Sequence, residues 1–214
     1  VAKFRKRELV SNYIILTILA LTCILPIMLL FFNSIKPQEE FGINPFGFPM
    51  TIRLANFVDA WIMGEYAQIF LNSSKLVIGT LILNLTVSGL AGFSLAKLYP
   101  RGSNAFLVYL LVGVSIPAQM FILPLFLMWK EFGLMNTHLG LIIIYAGLNA
   151  PFATFLIRSY MIQLPDELFD AAKIDGANTL QLFYRIALPI SWPVFLTTGL
   201  VSTTIIAGSI FFSD

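Results

Sequence analysis

Five long apolar runs dominate the pattern of this chain, and its polar residues collect between them. Each run is close to the roughly 20 residues that an α-helix needs to cross a bilayer. None alternates apolar and polar residues with the period of two that marks a membrane-spanning β-strand. The pattern predicts an all-α polytopic bundle, with a polar N-terminus (residues 1–12) and a single transmembrane domain (residues 13–214). The predicted spans are Tyr13–Phe32, Phe70–Ala96, Ala105–Trp129, Leu139–Ile157 and Ile190–Phe212.

The composition agrees with a membrane protein and excludes several kinds of site. Only 11% of the 214 residues are charged and 58% are hydrophobic, whereas a soluble domain carries roughly 25% charged residues. The single cysteine, Cys23, excludes an internal disulfide and a thiolate metal site. The single histidine, His138, is interpreted as a residue at the end of a span. We find no paired intramembrane carboxylates or activated nucleophile, so an enzyme is not expected.

The positively charged residues predict the orientation of the spans. If residues 1–12 are cytoplasmic, nine of the thirteen Lys and Arg residues fall on the inner side and four on the outer side. Cytoplasmic loops of membrane proteins carry such an excess. A cytoplasmic N-terminus is therefore predicted. The inner residues are Lys3, Arg5, Lys6, Arg7, Lys97, Arg101, Arg158, Lys173 and Arg185, and the outer ones are Lys36, Arg53, Lys75 and Lys130.

The predicted spans lack the ionisable residues of a self-powered transporter. No Asp or Glu lies in the second to fifth spans, and Lys75 lies near the outer end of its span. Ion-coupled transporters keep ionisable side chains at mid-membrane because a proton or cation must bind there. We therefore expect that any transport is powered by another subunit.

Uncharged polar residues recur on single faces of two spans. In the second span, every fourth residue is small or polar: Asn84, Ser88, Gly92 and Ala96. This spacing indicates either a small-residue packing seam or, through Asn84 and Ser88, the wall of a polar path. The fifth span carries three hydroxyl side chains on one face. They could line a path for a hydroxyl-rich solute, or each could equally bond a backbone carbonyl of its own helix. The hydroxyl residues are Thr198, Ser202 and Ser209.

Pro117 and Pro124 in the third span, and Pro151 in the fourth, are expected to break or kink their helices. Bent helices create cavities, so a path beside Asn149 and a purely structural kink are equally compatible with the sequence.

A charged stretch, "FDAAKIDGANTLQLFYRIALP", interrupts the apolar pattern before the last span. Pro165 and the acids after it suit the start of a helix, and Gly176 suits its left-handed end. Asn178 or Thr179 suits the cap of a second short helix. The stretch therefore predicts two short helices joined by a turn.

This stretch resembles the EAA loop in the membrane subunits of ABC importers, here at about residues 158–189. The motif is carried by Asp170-Ala171-Ala172, Asp175-Gly176 and Ile186-x-Leu188-Pro189. Stretches such as "AGFSLAKLYPRG" and "APFATFLIRSYMIQLPDELFDAAKIDGA" are similar to carbohydrate-type permeases related to the maltose-importer membrane subunits, in particular the shorter six-span partner. Two departures stand out. Asp170 replaces the usual Glu, and the sequence stops after five spans, so a sixth is expected to be missing.

The resemblance implies the type I ABC importer fold and a division of labour. A second permease would complete the path for a sugar, two ATPase subunits would dock on the EAA loop, and an external binding protein would deliver the solute. ATP would bind those ATPase subunits and no cofactor would bind this chain, which lacks a phosphate-binding loop. The expected location is a prokaryotic inner membrane, with no nucleic-acid partner. The alternatives are an importer of amino acids or peptides, or a membrane scaffold with an EAA-like loop.

Overall fold

The computed structural model describes the backbone of residues 6–211 and the side chains of residues 12–206 and 208. All regular elements within this range are helical, which confirms the all-α prediction. The helices are α1 Lys6–Ser34, α2 Gln38–Ile43, α3 Ala55–Met63, α4 Tyr66–Phe93, α5 Ser103–Ser115, α6 Ile122–Glu131, α7 His138–Met161, α8 Asp166–Ile174, α9 Thr179–Leu182, α10 Leu188–Ile190 and α11 Trp192–Phe211. Two π-helical turns, Ser94–Leu98 and Phe183–Ala187, and a 3-10 turn, Ala118–Phe121, complete them.

The chain divides into two compact units, Val1–Ile69 and Phe70–Asp214. The prediction of a single transmembrane domain stays a prediction. In the first unit, the apolar part of α1 (Asn12–Ser34) has no buried side chain. An apolar helix of 23 residues without a buried face is long enough to cross a bilayer and suited to contact lipid.

A buried lysine organises the connection after α1. Lys36 is 2% exposed, and its Nζ donates to Asn33 Oδ1, Asn44 O and Gly47 O at 2.9, 2.7 and 2.8 Å. The amide of Asn56 donates to the carbonyl of Lys36 at 2.7 Å. A buried ammonium is tolerated only when its donors are satisfied, so these bonds fix the turn-rich stretch that the sequence shows as "NPFGFP".

In the second unit, α4 and α7 pack side by side and run in the same direction. Asn84 Nδ2 donates to Ala146 O at 3.0 Å and Ser88 Oγ donates to Ala150 O at 3.2 Å, and both pairs are 62 residues apart. Because both residue numbers rise together, the helices are parallel. This register places His138 level with the early part of α4, roughly 33 Å from Leu98 at 1.5 Å per residue. The stretch between α4 and α7 must therefore return the chain across about one bilayer thickness.

That returning stretch is sharply bent. Helix α5 and the segment Ala118–Glu131 meet at 94°, so the predicted third span, Ala105–Trp129, is broken, as its prolines indicated. Pro117 explains the break, because a proline forces the preceding residue out of the helical region, and Ile116 is extended at φ −84°, ψ 125°. By contrast, Pro151 lies inside a continuous α7, so the expected break in the fourth span is not found.

The predicted fifth span begins at a second bend. Segments Thr179–Ile190 and Trp192–Ile206 meet at 78°, so the span starts at Trp192 and not at Ile190. Pro193 has no N–H to donate to the carbonyl of Pro189, which removes one bond of a continuous helix. In the described range, three helices are long and apolar enough to cross a membrane, or five crossings if each bent pair counts once.

The core of the second unit lies where α4, α7, α8, the second π-turn and α11 meet. Phe93 is its aromatic centre, with ring centroids 6.1 Å from Phe169 and 5.5 Å from Phe183. All three side chains are at most 3% exposed. Long-range aromatic packing therefore fixes the charged stretch to the end of the bundle. The remaining buried members are Ala96, Ile157, Met161, Leu182, Ala187, Val194 and Phe195.

Candidate functional site

Residues 166–190, called here the EAA segment, form the two-part structure that the sequence predicts. Helix α8 begins after Pro165, has acids in its first turn and Lys173 in its last, which suits the helix dipole at both ends. Gly176 follows with φ +85°. The N–H groups of Gly176 and Ala177 donate to the carbonyls of Lys173 and Ala172 at 3.0 and 2.9 Å. This is a Schellman ending, which requires the left-handed residue.

The second part of the EAA segment begins with a capping box. Asn178 Oδ1 accepts from the N–H of Gln181, and Gln181 Oε1 accepts from the N–H of Asn178, both at 2.9 Å. The structure thus selects Asn178 over Thr179 as the cap. The predicted second helix is not a regular α-helix throughout, because a π-turn, Phe183–Ala187, separates α9 from α10.

The motif residues of the EAA segment do not share one environment. Those that are exposed, and so available to a partner, are Asp170, Ala171, Asp175, Gly176 and Pro189. Ala172, Ile186 and Leu188 are partly buried and pack against the core. The small patch expected at Ala171 and Ala172 is therefore divided, because only Ala171 faces outward.

A shallow polar cleft lies between the two parts of the EAA segment. Its volume is about 400 Å³. Sequence reasoning had identified the motif residues but not the contribution of Gln181 and Arg185 to this cleft. Asp170, at the other side of α8, pairs with Lys173 at 2.9 Å, so its carboxylate is held within α8 and not directed at the cleft. The cleft is lined by Ala172, Asp175, Gly176, Ala177, Gln181, Arg185 and Ile186.

Sequence reasoning also missed the role of Lys97, which it used only to assign orientation. The Nζ of Lys97 donates to Asp166 Oδ1 at 2.6 Å, across 69 residues of sequence. The one signal in the sequence is a basic residue that closes a long apolar helix. Such a residue alone does not identify its partner.

The α4 face predicted to be either a seam or a path is buried. We call its five residues, Thr80, Asn84, Ser88, Gly92 and Ala96, the polar seam, and Thr80 extends the predicted spacing by one step. All five are buried, and Asn84 and Ser88 are bonded to carbonyls of α7. This placement matches the packing alternative. Asn84 Oδ1 and Thr80 Oγ1 have no partner among the described residues, so each could still accept a hydrogen bond.

The other predicted path residues are also interior. Asn149 is 8% exposed and its Nδ2 donates to Tyr145 O at 2.8 Å. Thr198 and Ser202 on α11 are 0% and 2% exposed, and Thr198 Oγ1 donates to Val194 O at 2.7 Å. The side chain of Ser209 lies outside the described residues. A solute could reach these groups only if α4, α7 and α11 separated, so their path role stays a prediction.

The second unit matches a known family of transport proteins. Residues 88–213, more than half of the chain, match the family model described as "Binding-protein-dependent transport system inner membrane component". This chain belongs to that family. As an inner membrane component it is a multi-pass membrane protein, and its relatives are transport permeases. The matched region contains the EAA segment, α7, α11 and the bent third span.

Two curated relatives of this inner membrane component are permeases named for saccharides. It is 30% identical to a diacetylchitobiose uptake system permease protein of Streptomyces coelicolor, over 88% of this chain and 62% of the relative. It is 34% identical to an arabinooligosaccharides transport system permease protein of Halalkalibacterium halodurans, over 82% and 63%. The chain thus spans less than two thirds of the length of these relatives.

The fold matches a solved transporter. A chain from the crystal structure of a bacterial ABC transporter involved in the import of the acidic polysaccharide alginate superimposes with a TM-score of 0.73. The match covers 96% of this chain and 73% of that chain at 23% identity. It shows that the inner membrane component has the ABC importer permease fold.

Proposed function

We propose that this chain is a permease subunit of an ATP-driven, binding-protein-dependent importer and forms half of the path for a sugar. The family match supports the importer class. The two relatives named for diacetylchitobiose and arabinooligosaccharides support a saccharide. The complete assembly would contain a second permease, two ATPase subunits and an extracytoplasmic binding protein, in a prokaryotic inner membrane.

The observation that carries this proposal is the exposure of α8. Of its nine residues, only Phe169 is buried. A short helix that presents nearly its whole surface, beside a polar cleft, has the shape of an element that another subunit encloses. We therefore propose that the EAA segment docks an ATPase subunit through Asp170, Ala171, Asp175, Gly176 and Pro189. Ala172, Ile186 and Leu188 would support this surface from the core side.

In this proposal the chain itself binds no nucleotide and catalyses no reaction. ATP would be hydrolysed by the ATPase subunits, and the EAA segment would transmit their closure to the bundle. The N-terminus and the EAA segment would face the cytoplasm, as the distribution of Lys and Arg predicts. The order of the helices supports this shared side. An N-terminal span precedes α4, and α4 and α7 run parallel, so the ends of α4 and α7 would lie on the same side of the membrane as the N-terminus.

The test is reconstitution of the complete transporter in liposomes, with all partner subunits and the full-length permease. Diacetylchitobiose and an arabinooligosaccharide are compared with an amino-acid mixture and a peptide mixture. We expect a saccharide to stimulate ATP hydrolysis and to accumulate inside the vesicles. Stimulation by amino acids or peptides alone would reassign the substrate class. Failure of this permease to bind any ATPase subunit would support the scaffold alternative and contradict the proposal.

A further inference from the structure

Lys97 is a buried cation at the end of the longest apolar helix of the second unit. It lies in the π-turn Ser94–Leu98 that continues α4, and its side chain is only 4% exposed. A buried lysine is rare unless its ammonium is fully bonded. Its position close to the proposed cytoplasmic face would let an unrestrained lysine extend into water, so its inward placement requires specific contacts.

Those contacts all belong to the start of the EAA segment and the turn that leads into it. The Nζ of Lys97 donates to the carbonyl of Leu164 and to Asp166 Oδ1, each at 2.6 Å. The same nitrogen lies 5.2 Å from the centre of the Phe169 ring, within range of a cation–π interaction. One ammonium thus contacts the approach to α8, its first residue and its buried aromatic side chain.

Apart from the Lys97 contacts, few side chains of α8 pack against the bundle. Phe169 is its one buried residue, and it packs on Phe93 of α4. The rest of the helix is exposed or, at Ala172, partly buried. Lys97 and Phe93 are four residues apart at the C-terminal end of α4 and its π-turn. The Lys97–Asp166 and Phe93–Phe169 contacts therefore join α8 to the same end of that helix.

The helix end that carries Lys97 is itself fixed. A π-turn adds one residue to the helical turn, and Tyr99 then ends the helix in the left-handed region at φ +46°. Arg158 of α7 donates from Nε to the carbonyl of Leu95 at 3.3 Å. The turn is therefore held by α7 on one side while Lys97 reaches α8 on the other.

We propose that Lys97 is a positioning residue that ties α8 to α4, so that the two helices move as one body when a partner acts on α8. The inference rests on the proposed docking function of the EAA segment. With only 4% of its side chain exposed, Lys97 offers a partner almost no surface. It acts through Asp166, Leu164 and Phe169, and it directs motion into α4 by a route separate from the covalent connections of α8 to α7 and α9.

The test measures whether α4 and α8 keep their separation during the ATP cycle. Nitroxide labels are placed at Ile82 of α4 and Ile174 of α8, which are 65% and 87% exposed, in a Cys23→Ser background. The complete transporter is studied by pulsed electron paramagnetic resonance, without nucleotide and after trapping with MgATP and vanadate. Labelled complexes must first retain ATP hydrolysis.

We expect the Ile82–Ile174 distance distribution of the parent transporter to stay unchanged on trapping. Lys97→Met, with its ATPase subunits still bound, should show a displaced or second population after trapping, because α8 then moves without α4. Lys97→Arg, which keeps the charge, should restore most of the parent distribution. Lys75→Met is the matched control, since Lys75 is an exposed lysine of the same helix, and it should behave as the parent.

A change of distance in the parent on trapping, or an unchanged distance in Lys97→Met, would overturn the inference. If Lys97→Met does not assemble, Asp166→Asn is measured instead, because Asp166 is 70% exposed, and an unchanged distance there would have the same meaning. A parent complex that traps no nucleotide would instead contradict the proposed function. Nucleotide retention, measured on the same samples, separates these two failures.

Discussion

The EAA segment and the polar seam place small and polar residues in opposite environments. In the EAA segment, Asp170 and Gly176 are exposed, and local caps define where each short helix begins and ends. In the polar seam, Asn84 and Ser88 are completely buried and bond to α7. Small and polar residues are therefore exposed in one region and packed between helices in the other.

Exposure, and not polarity, therefore separates the proposed docking surface from the packing surface in this bundle. Small residues let two membrane helices approach closely, and polar ones bond between them. The polar seam uses both properties within the chain. The EAA segment leaves Ala171 and Gly176 exposed, which is the condition for contact with another subunit.

The strongest way to break the comparison is to overfill the polar seam. A Cβ at Gly92 would lie 3.0 Å from Ile157 Cγ2 and 3.2 Å from the Arg158 backbone nitrogen. Gly92→Leu should therefore separate α4 from α7 at a cost of about 1–3 kcal/mol or more. We expect reduced assembly of the complex, measured by co-purification of the partner subunits.

The matched control for Gly92→Leu is Gly113→Leu in α5. An added Cβ at Gly113 meets no atom within 4 Å, so this variant should assemble as the parent does. Equal assembly of both variants would show that the polar seam does not determine packing.

A pair of substitutions at Ser202 separates packing from a path. Ser202 is 2% exposed, so packing predicts that Ser202→Leu reduces assembly and that Ser202→Ala has little effect. A path predicts that Ser202→Ala lowers saccharide uptake about fivefold with assembly intact, from the loss of about 1 kcal/mol of hydrogen bonding. Uptake per assembled complex, measured for both variants, decides between them.

The polar seam and the EAA segment also differ in how much of them the sequence predicts. The caps of α8 and α9 were predicted because a proline, a glycine and an asparagine act on their immediate neighbours. The seam spacing was visible, yet its burial depends on α7 residues 62 positions away. Local signals do not contain that information, so the path and packing alternatives stayed open.

Local sequence signals also could not predict the bend angles of the spans or the buried contacts of the EAA segment. Pro117 indicated a break, but the 94° angle depends on how α5 and α6 pack. The partly buried position of Ala172 depends on a core centred on Phe93. The contact of Lys97 with Asp166 spans 69 residues, and a single charged residue in an apolar sequence has many possible partners.

A smaller effect is expected at the exposed acid of the EAA motif. The Asp170–Lys173 pair has side chains 66% and 52% exposed, and an exposed pair of this kind contributes about 1 kcal/mol or less. Asp170→Ala should therefore lower ATPase-subunit affinity by no more than about fivefold. Titration of purified ATPase subunit onto permease-containing nanodiscs measures this. A complete loss of binding would assign Asp170 a larger role in docking.

Cysteine labelling tests the side of the membrane on which the EAA segment lies. With Cys23 replaced by serine, a cysteine at Asn178 should react only from the cytoplasm, because the EAA segment is predicted to be inside. A cysteine at Asn44 should react only from outside. Both residues lie between helices, and loss of the Asn178 cap costs about 0.5–2 kcal/mol, so each variant must first retain ATP hydrolysis in the complete transporter. Reversed accessibility in intact cells and inverted vesicles would contradict the orientation and, with it, the docking proposal.

The most direct test of the central claim, that the EAA segment couples the bundle to an ATPase, compares valine substitutions at two glycines. Gly176 and Gly102 have φ +85° and +87°, and an added Cβ meets no atom within 4 Å at either. Each substitution adds backbone strain of about 1–3 kcal/mol, but only Gly176 lies in the EAA segment. The measurement is saccharide-stimulated ATP hydrolysis by the reconstituted transporter. We predict that Gly176→Val abolishes stimulation, with the chain still in the membrane, and that Gly102→Val retains it. Equal stimulation in both variants would contradict the account.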